Sequence, residues 1–379
     1  MTKDRWRYRL SGHRTVVGSE NAKTPREASC LSTPSKRTVQ NQGRWNQLPG
    51  QRWLRLLLMG AFLYEASANA QTCQTSVDMS ADVQAALKTT AQHYFEMAAH
   101  GDTAALKQNS IASVASSFGG IEAVVKENQA IFSGAKTTIR PSFLLIADGP
   151  EPLARAEFLC GVFGKTGQTE NSAVFVLPNL PPGKYGVTIL DVNSGQAAST
   201  LTFILQQAGT EWKLGGLYVR SSQASGHDAT WFIQRARDFK AKSKNRDAWL
   251  YYREAIALSI PVDFMSTLFT DKLYEEVQST QPADLPANGS AVDLTANGKV
   301  YHLTEIFPLA VGNDLDVVVK YQYPDVSDTA RTFQENMTLI KALVAKFPEL
   351  HEAFAGVVAR AVEPSGRDYG SLLAMKDIK

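Results

Sequence analysis

Three groupings of residues in this chain have the side-chain types that chemistry requires, and their spacing decides what each can do. Gly164-Lys165-Thr166 carries the last three residues of a phosphate-binding loop. Such a loop needs a first glycine five residues before the Gly-Lys-Thr, where Leu159 stands, and a following helix to supply amide donors. Strand-like segments surround it here, so it reads as a surface turn. His93, His100, His227, His302 and His351 are scattered, and none lies at His-x-x-x-His spacing. No metal site is expected from them. His227-Asp228 sits where a helix cap belongs. There is no Gly-x-Ser-x-Gly elbow and no cysteine after position 70 beside a plausible histidine partner, so no nucleophilic centre and no cofactor are expected. The third grouping is Cys73 with Cys160, the only cysteines after position 70, since Cys30 lies in the N-terminal stretch. In an oxidising compartment they are expected to pair, for about 4 kcal/mol in the chain-entropy picture; the alternative is two buried thiols. Trp212, Trp231 and Trp249 read most simply as core packing, and Asn288-Gly289-Ser290 and Asn336-Met337-Thr338 fit the glycosylation pattern.

The expected compartment follows from Leu56–Tyr64, a nine-residue apolar run preceded by Arg52 and Arg55 and followed by Ala68-Asn69-Ala70. A basic flank, a short apolar stretch and a small-residue cleavage pattern make a secretory signal over 51–70. Nine helical residues cross only about half of a bilayer core, which argues against a membrane span. The mature chain is therefore expected to begin near Gln71, to carry no transmembrane segment and to be periplasmic or secreted. Residues 1–50 are polar and lack apolar periodicity, so they are read as disordered or as sequence upstream of the true start, with the second favoured. Lipid anchoring is not expected, because Gln71 and Thr72 rather than small residues precede Cys73.

Charge excludes one class of partner. The net +2 averages unlike parts: residues 1–55 hold twelve Lys/Arg against three Asp/Glu, while 71–379 hold 27 against 33. A mildly acidic mature chain lacks the long-range attraction that nucleic acid requires. The apolar fraction of 44% and charged fraction of 20% are those of a globular protein, and 379 residues suggest two or three domains.

The elements that would position these side chains fall into three stretches. Residues 80–99 predict a helix capped by Ser80 or Asp82, with Val83, Leu87, Ala91, Tyr94 and Ala98 on one face and Gly101 at its end. Shorter helices follow at 103–110 and 121–132. The period then changes to two, giving strands at 138–147, 153–163, 172–178, 184–193, 199–207 and 211–220. After a polar linker at 221–228, Phe232, Ala236, Phe239, Ala248, Tyr252 and Ala255 have the spacing of a helix pair, and 263–278 suits a third helix. Beyond a second linker at 280–289, strands are expected at 291–296, 299–306 and 315–323, with Asn297-Gly298 as a hairpin turn. An amphipathic helix at 328–346, a short helix ending near 354 and strands at 357–363 and 370–377 complete an α+β chain.

Helices followed by a meander that closes on Thr202–Arg220 resemble the NTF2-like (cystatin-like) superfamily, in which a Gly-x-x-Trp-Lys hairpin, here Gly209 to Lys213, joins the last strands. The likeness covers residues 78–221. Leu180–Tyr185 resembles instead a turn of transthyretin-like β-sandwiches, which leaves an all-β sandwich over 137–221 as the competing fold. Residues 228–279 resemble a single tetratricopeptide-like helix pair, too few repeats for a peptide-binding array, and 290–379 form a C-terminal α+β domain. The chain as a whole resembles uncharacterised exported bacterial proteins of similar layout. The NTF2-like likeness implies a cone pocket between first helix and sheet, with His93, Tyr94, Arg155, Glu157, Trp212 and Tyr218 as candidate lining. The leading expectation is non-enzymatic binding of a small ligand or an envelope protein. The alternatives are a hydrolase or isomerase with an acid–base residue in the cone, and an envelope scaffold.

Overall fold

The computed structural model describes residues 71–162, 168–195 and 197–378; the stretch expected to be an export signal (51–70), residues 1–50 and Gly164-Lys165-Thr166 lie outside them. The chain opens with β1 (Gln71–Gln74) and α1 (Ala81–His100). The Ser80 side chain accepts from the Val83 N–H, and Gly101 ends the helix at φ 71°, a left-handed conformation that glycine adopts without strain. Helices α2 (Thr103–Gln108), α3 (Ala112–Ser116) and α4 (Gly119–Phe132) follow. Next come β2 (Lys136–Ile139), β3 (Phe143–Ala147), β4 (Leu153–Cys160), β5 (Ala173–Leu180), β6 (Gly183–Asn193), β7 (Ala198–Ala208) and β8 (Glu211–Ser221). The expected single strand over 138–147 is divided, because Pro141 has no N–H to donate and restricts Arg140 before it.

An antiparallel sheet in the order β1-β3-β6-β7-β8, with β2 also paired to β6, forms the middle layer. Its strands are apolar on both faces. Leu144, Leu190, Leu201, Phe203 and Leu205 meet α1 and α4, while Phe143, Leu145, Val187 and Ile189 meet Phe158 and Phe175 of the β4–β5 hairpin. Gly186 is required where α1 crosses β6, since a Cβ there would collide with the Leu87 side chain. The sheet is thus covered by helices on one side and by a small second sheet on the other. Cys73 on β1 and Cys160 at the end of β4 lie at disulfide distance, Cα atoms 5.0 Å apart, and so staple the two sheets together.

Short strands β9 (Gln223–Ala224) and β10 (His227–Asp228) lead into α5 (Ala229–Ala241) and α6 (Asn245–Ser259). Phe232, Ala236, Phe239, Ala248, Tyr252 and Ala255 are all buried between this pair and its surroundings. The expected helix over 263–278 starts later, as α7 (Leu268–Thr280), because β11 (Met265–Thr267) pairs with β5 of the second sheet. That strand is dictated by a distant partner, which local periodicity does not contain. The C-terminal sheet comprises β12 (Val292–Ala296), β13 (Lys299–Val311), β14 (Asp314–Gln322), β15 (Gly356–Val362) and β16 (Asp368–Ala374) in sequential order. Asn297 and Gly298 both adopt positive φ at the β12–β13 turn, as that dipeptide favours. β14 and β15 run parallel, so α8 (Thr329–Lys346) and α9 (Leu350–Ala353) make the crossover between them. One continuous apolar core joins α5, α6 and α7 to this sheet and α8. Asn336 lies wholly inside it, bonded to Tyr321, Ser371 and the Tyr369 carbonyl, so of the two glycosylation patterns only Asn288 is exposed. Among the described residues no helix is long and apolar enough to cross a membrane.

Candidate functional site

The residues expected to line a cone do not converge. Tyr94 on α1 is buried, and its hydroxyl points at the carbonyl oxygens of Trp212 (2.9 Å) and Asn109 (3.1 Å). Burial pushes its pKa up to about 12. Leu87, Ala91, Phe203, Trp212 and Leu214 pack around it between the first helix and the sheet. His93, next along the helix, is exposed. Arg155 and Glu157 pair at 3.7 Å on the exposed side of β4. Tyr218 lies against the opposite core, its ring edge-on to Phe264 at 5.5 Å, and burial, then the Asp263 charge, pushes its pKa up to about 12. Tyr94 and Trp212 are therefore brought together as packing groups, and the other four are dispersed over two faces and the surface.

A different place assembles polar and aromatic side chains: a cleft of about 430 Å³ lined by Trp231, Gln234, Arg235, Asp238, Tyr251 and Glu352. Its construction follows from α5. The Asp228 carboxylate accepts from the Trp231 N–H at 2.9 Å and so caps the helix start, as the sequence led one to expect. Positions 231, 234, 235 and 238 then share one face at helical spacing, beside the buried stripe of Phe232, Ala236 and Phe239. Trp231 is a correction to the core-packing expectation, since 38% of its surface is exposed, whereas Trp212 and Trp249 are buried. The His227 ring stacks on the Trp231 indole at 3.7 Å and 8°.

Several of the cleft's polar groups are already engaged. The Tyr251 hydroxyl donates to the Ala353 carbonyl at 2.6 Å. Glu352 on α9 accepts from Lys242 (3.0 Å) and Lys244 and lies 3.8 Å from Arg235. Hydrogen bonds from Lys244 and Lys242 hold its pKa down at about 2. The Arg235 guanidinium also sits 4.7 Å from the Phe239 ring centroid. The Gln234 amide donates to one Asp238 oxygen at 3.1 Å, which leaves the second oxygen and the amide carbonyl turned to other uses.

One turn before Tyr251 on α6 stands Asp247, which sequence reasoning missed. It has no exposed surface, and neither carboxylate oxygen has a hydrogen-bond partner. Burial, reinforced by the negative charge of Glu349, pushes its pKa up to about 7 despite Lys244 and Arg246 nearby. An unpaired buried carboxyl costs far more stability ionised than protonated, which is why it holds its proton. Its enclosure depends on the chain near 350 folding back onto α6, and no local pattern around position 247 announces that. Among the described residues, no group of three or more His, Cys, Asp or Glu side chains could hold a metal ion.

No protein-family model, curated protein or solved structure matches this chain.

Proposed function

We propose that this chain is an exported binding protein of the cell envelope that carries out no chemistry itself, and that its ligand engages the cleft beside α5 and α6. The observation that carries this reading is the exposed Trp231, held in place by the Asp228 cap and the His227 stack and flanked by the polar side chains of Gln234, Arg235 and Asp238. An exposed, rigid indole beside an adaptable polar rim is the kind of surface that recognition uses. The export part of the proposal is supported by the Leu56–Tyr64 run and by the Cys73–Cys160 pair, which suits an oxidising compartment. In this proposal residues 78–221 are an NTF2-like domain whose pocket is occupied by its own side chains, and 228–279 a tetratricopeptide-like pair serving as platform. The rival enzyme reading needs a free acid–base group in the cone, and Tyr94 is a poor one with its hydroxyl committed to two carbonyls.

The test is photo-crosslinking in the native host. A benzophenone amino acid placed at the exposed position 234, one turn along from Trp231, and for comparison at Val77, 90% exposed on the other half of the chain, inserts into C–H bonds of whatever lies against it. An adduct at 234 that is absent at 77 is expected. Equal labelling at both, or none at 234, overturns the proposal.

A further inference from the structure

We infer that Asp247 makes the seam between α6 and the turn at 347–354 a pH-sensitive latch, shut while its carboxyl keeps the proton and opening as the proton is lost. The geometry of the seam carries this. Asp247 stands in the first turn of α6, has no exposed surface and gives neither oxygen a hydrogen-bond partner. An enclosed carboxylate without partners is far less stable than the neutral acid, so its charge has to find either water or a cation. Water lies outside the seam, and the cations nearby are already committed to holding it closed. Lys242 and Lys244, in the connection between α5 and α6, bond Glu352, and Arg235 of α5 lies 3.8 Å from the same carboxylate. Arg246, beside Asp247 on α6, spans Glu349 at 2.6 Å and Asp284 in the loop after α7. Glu349, Glu352 and Asp284 thus each have a cation. Tyr251, one turn further along α6, spends its hydroxyl on the Ala353 carbonyl. Asp247 is left with nothing.

Ionisation of Asp247 acts on the turn in two ways. It repels Glu349 and Glu352, and it competes for Lys244 and Arg246, the side chains that clasp them. Both effects fall on the contacts between α6 and 347–354. Leu350 and Phe354 root the turn in the core, so the opening is local: the outer side of the turn lifts and water reaches the carboxyl. The sign follows from linkage. Burial, then the Glu349 charge, raises the closed-state pKa to about 7, so from about pH 4 to 7 each pH unit favours the open, ionised form about tenfold. Above that the gain levels off. Glu352 borders the cleft beside α5, so opening displaces one of its walls, whatever the cleft binds.

The experiment is hydrogen–deuterium exchange of the purified protein from pH 5 to 8, resolved to single amides, with each rate divided by the intrinsic rate at that pH. The reporters are the amides of Ala248, Glu352 and Phe354, which bond the carbonyls of Lys244, Glu349 and Leu350. Their protection is expected to fall about tenfold per pH unit up to about pH 7 and then level, staying below that of the β14 and β15 amides throughout. In Asp247→Asn the fall should vanish. In His351→Gln it should persist; His351 is exposed on the same turn, and an imidazole can also change charge in this range. Flat protection in the parent overturns the inference, as does a fall that Asp247→Asn retains or His351→Gln abolishes. Protection that falls together with β14 and β15, to the same level, would show unfolding of the whole core in place of a latch. The first and last of these outcomes need only the parent protein, so the inference stays testable if a variant folds poorly.

Discussion

Replacing Asp247 by asparagine is expected to stabilise the protein increasingly as the pH rises above about 4. The carboxyl is fully enclosed with both oxygens unpaired, and burial followed by the Glu349 charge raises its pKa from an ordinary 3.8 to about 7. The folded-state value lies above the unfolded one. Between about pH 4 and 7 the unfolded chain releases this proton while the folded chain retains it, so the unfolded state is progressively favoured. Below about pH 4 both states are protonated and the pH-dependent cost vanishes; above about 7 it is complete. Each tenfold change in proton affinity is worth about 1.4 kcal/mol, so the full penalty is on the order of 4 kcal/mol, an upper figure since a folded chain can admit water to relieve it. Asparagine keeps the shape and never ionises. Urea titrations of parent and Asp247→Asn at pH 4, 6 and 8, followed by tryptophan fluorescence, give the difference directly. A gain of about 2–4 kcal/mol at pH 8 that vanishes at pH 4 is expected. An equal gain at both pH values would show that folding does not raise the proton affinity of Asp247, and a loss at pH 8 would show a solvated carboxylate; either refutes the reasoning.

Two further outcomes concern the N-terminal half. Removing the bridge by changing Cys73 and Cys160 to alanine should lower stability by up to about 4 kcal/mol in urea, and thiol labelling of the denatured, unreduced parent should find neither cysteine free; two reactive thiols would refute the pairing. Tyr94→Phe removes the donor shared by the Trp212 and Asn109 carbonyls and should cost about 1–3 kcal/mol, whereas an unchanged unfolding midpoint would mean that water replaces the hydroxyl there.

Elements whose cause is local were legible in the amino-acid order. Ser80 and Gly101 bound α1, Asp228 caps α5, and Asn297-Gly298 turns the β12–β13 hairpin, because each acts on backbone groups within a few positions of itself. The Cys73–Cys160 pairing was legible for a different reason: with two cysteines after position 70 there is only one possible bridge. The strands of the large sheet were legible from the change of period to two after position 137, but not their arrangement. Phe143, Leu144 and Leu145 give no sign that one face meets helices and the other a second sheet.

The site was the least legible part. Tyr94 and Trp212 looked like pocket lining because an aromatic at core spacing and one at a cavity wall have the same pattern, and only packing decides between them. Trp231 looked like core for the same reason. The cleft it borders unites α5 and α6 with Glu352, about a hundred positions further along the chain. Asp247 is an ordinary first-turn acid by sequence and becomes a proton-retaining group only because Glu349 and its neighbours are folded over it. The sequence by itself determined the ends fixed by local caps and turns, which cysteines can meet and the α+β character of the chain, since those depend on neighbours and on composition. Tertiary structure alone decided which aromatic faces water and which carboxylate loses it, because burial is a property of segments that meet in space from distant parts of the chain.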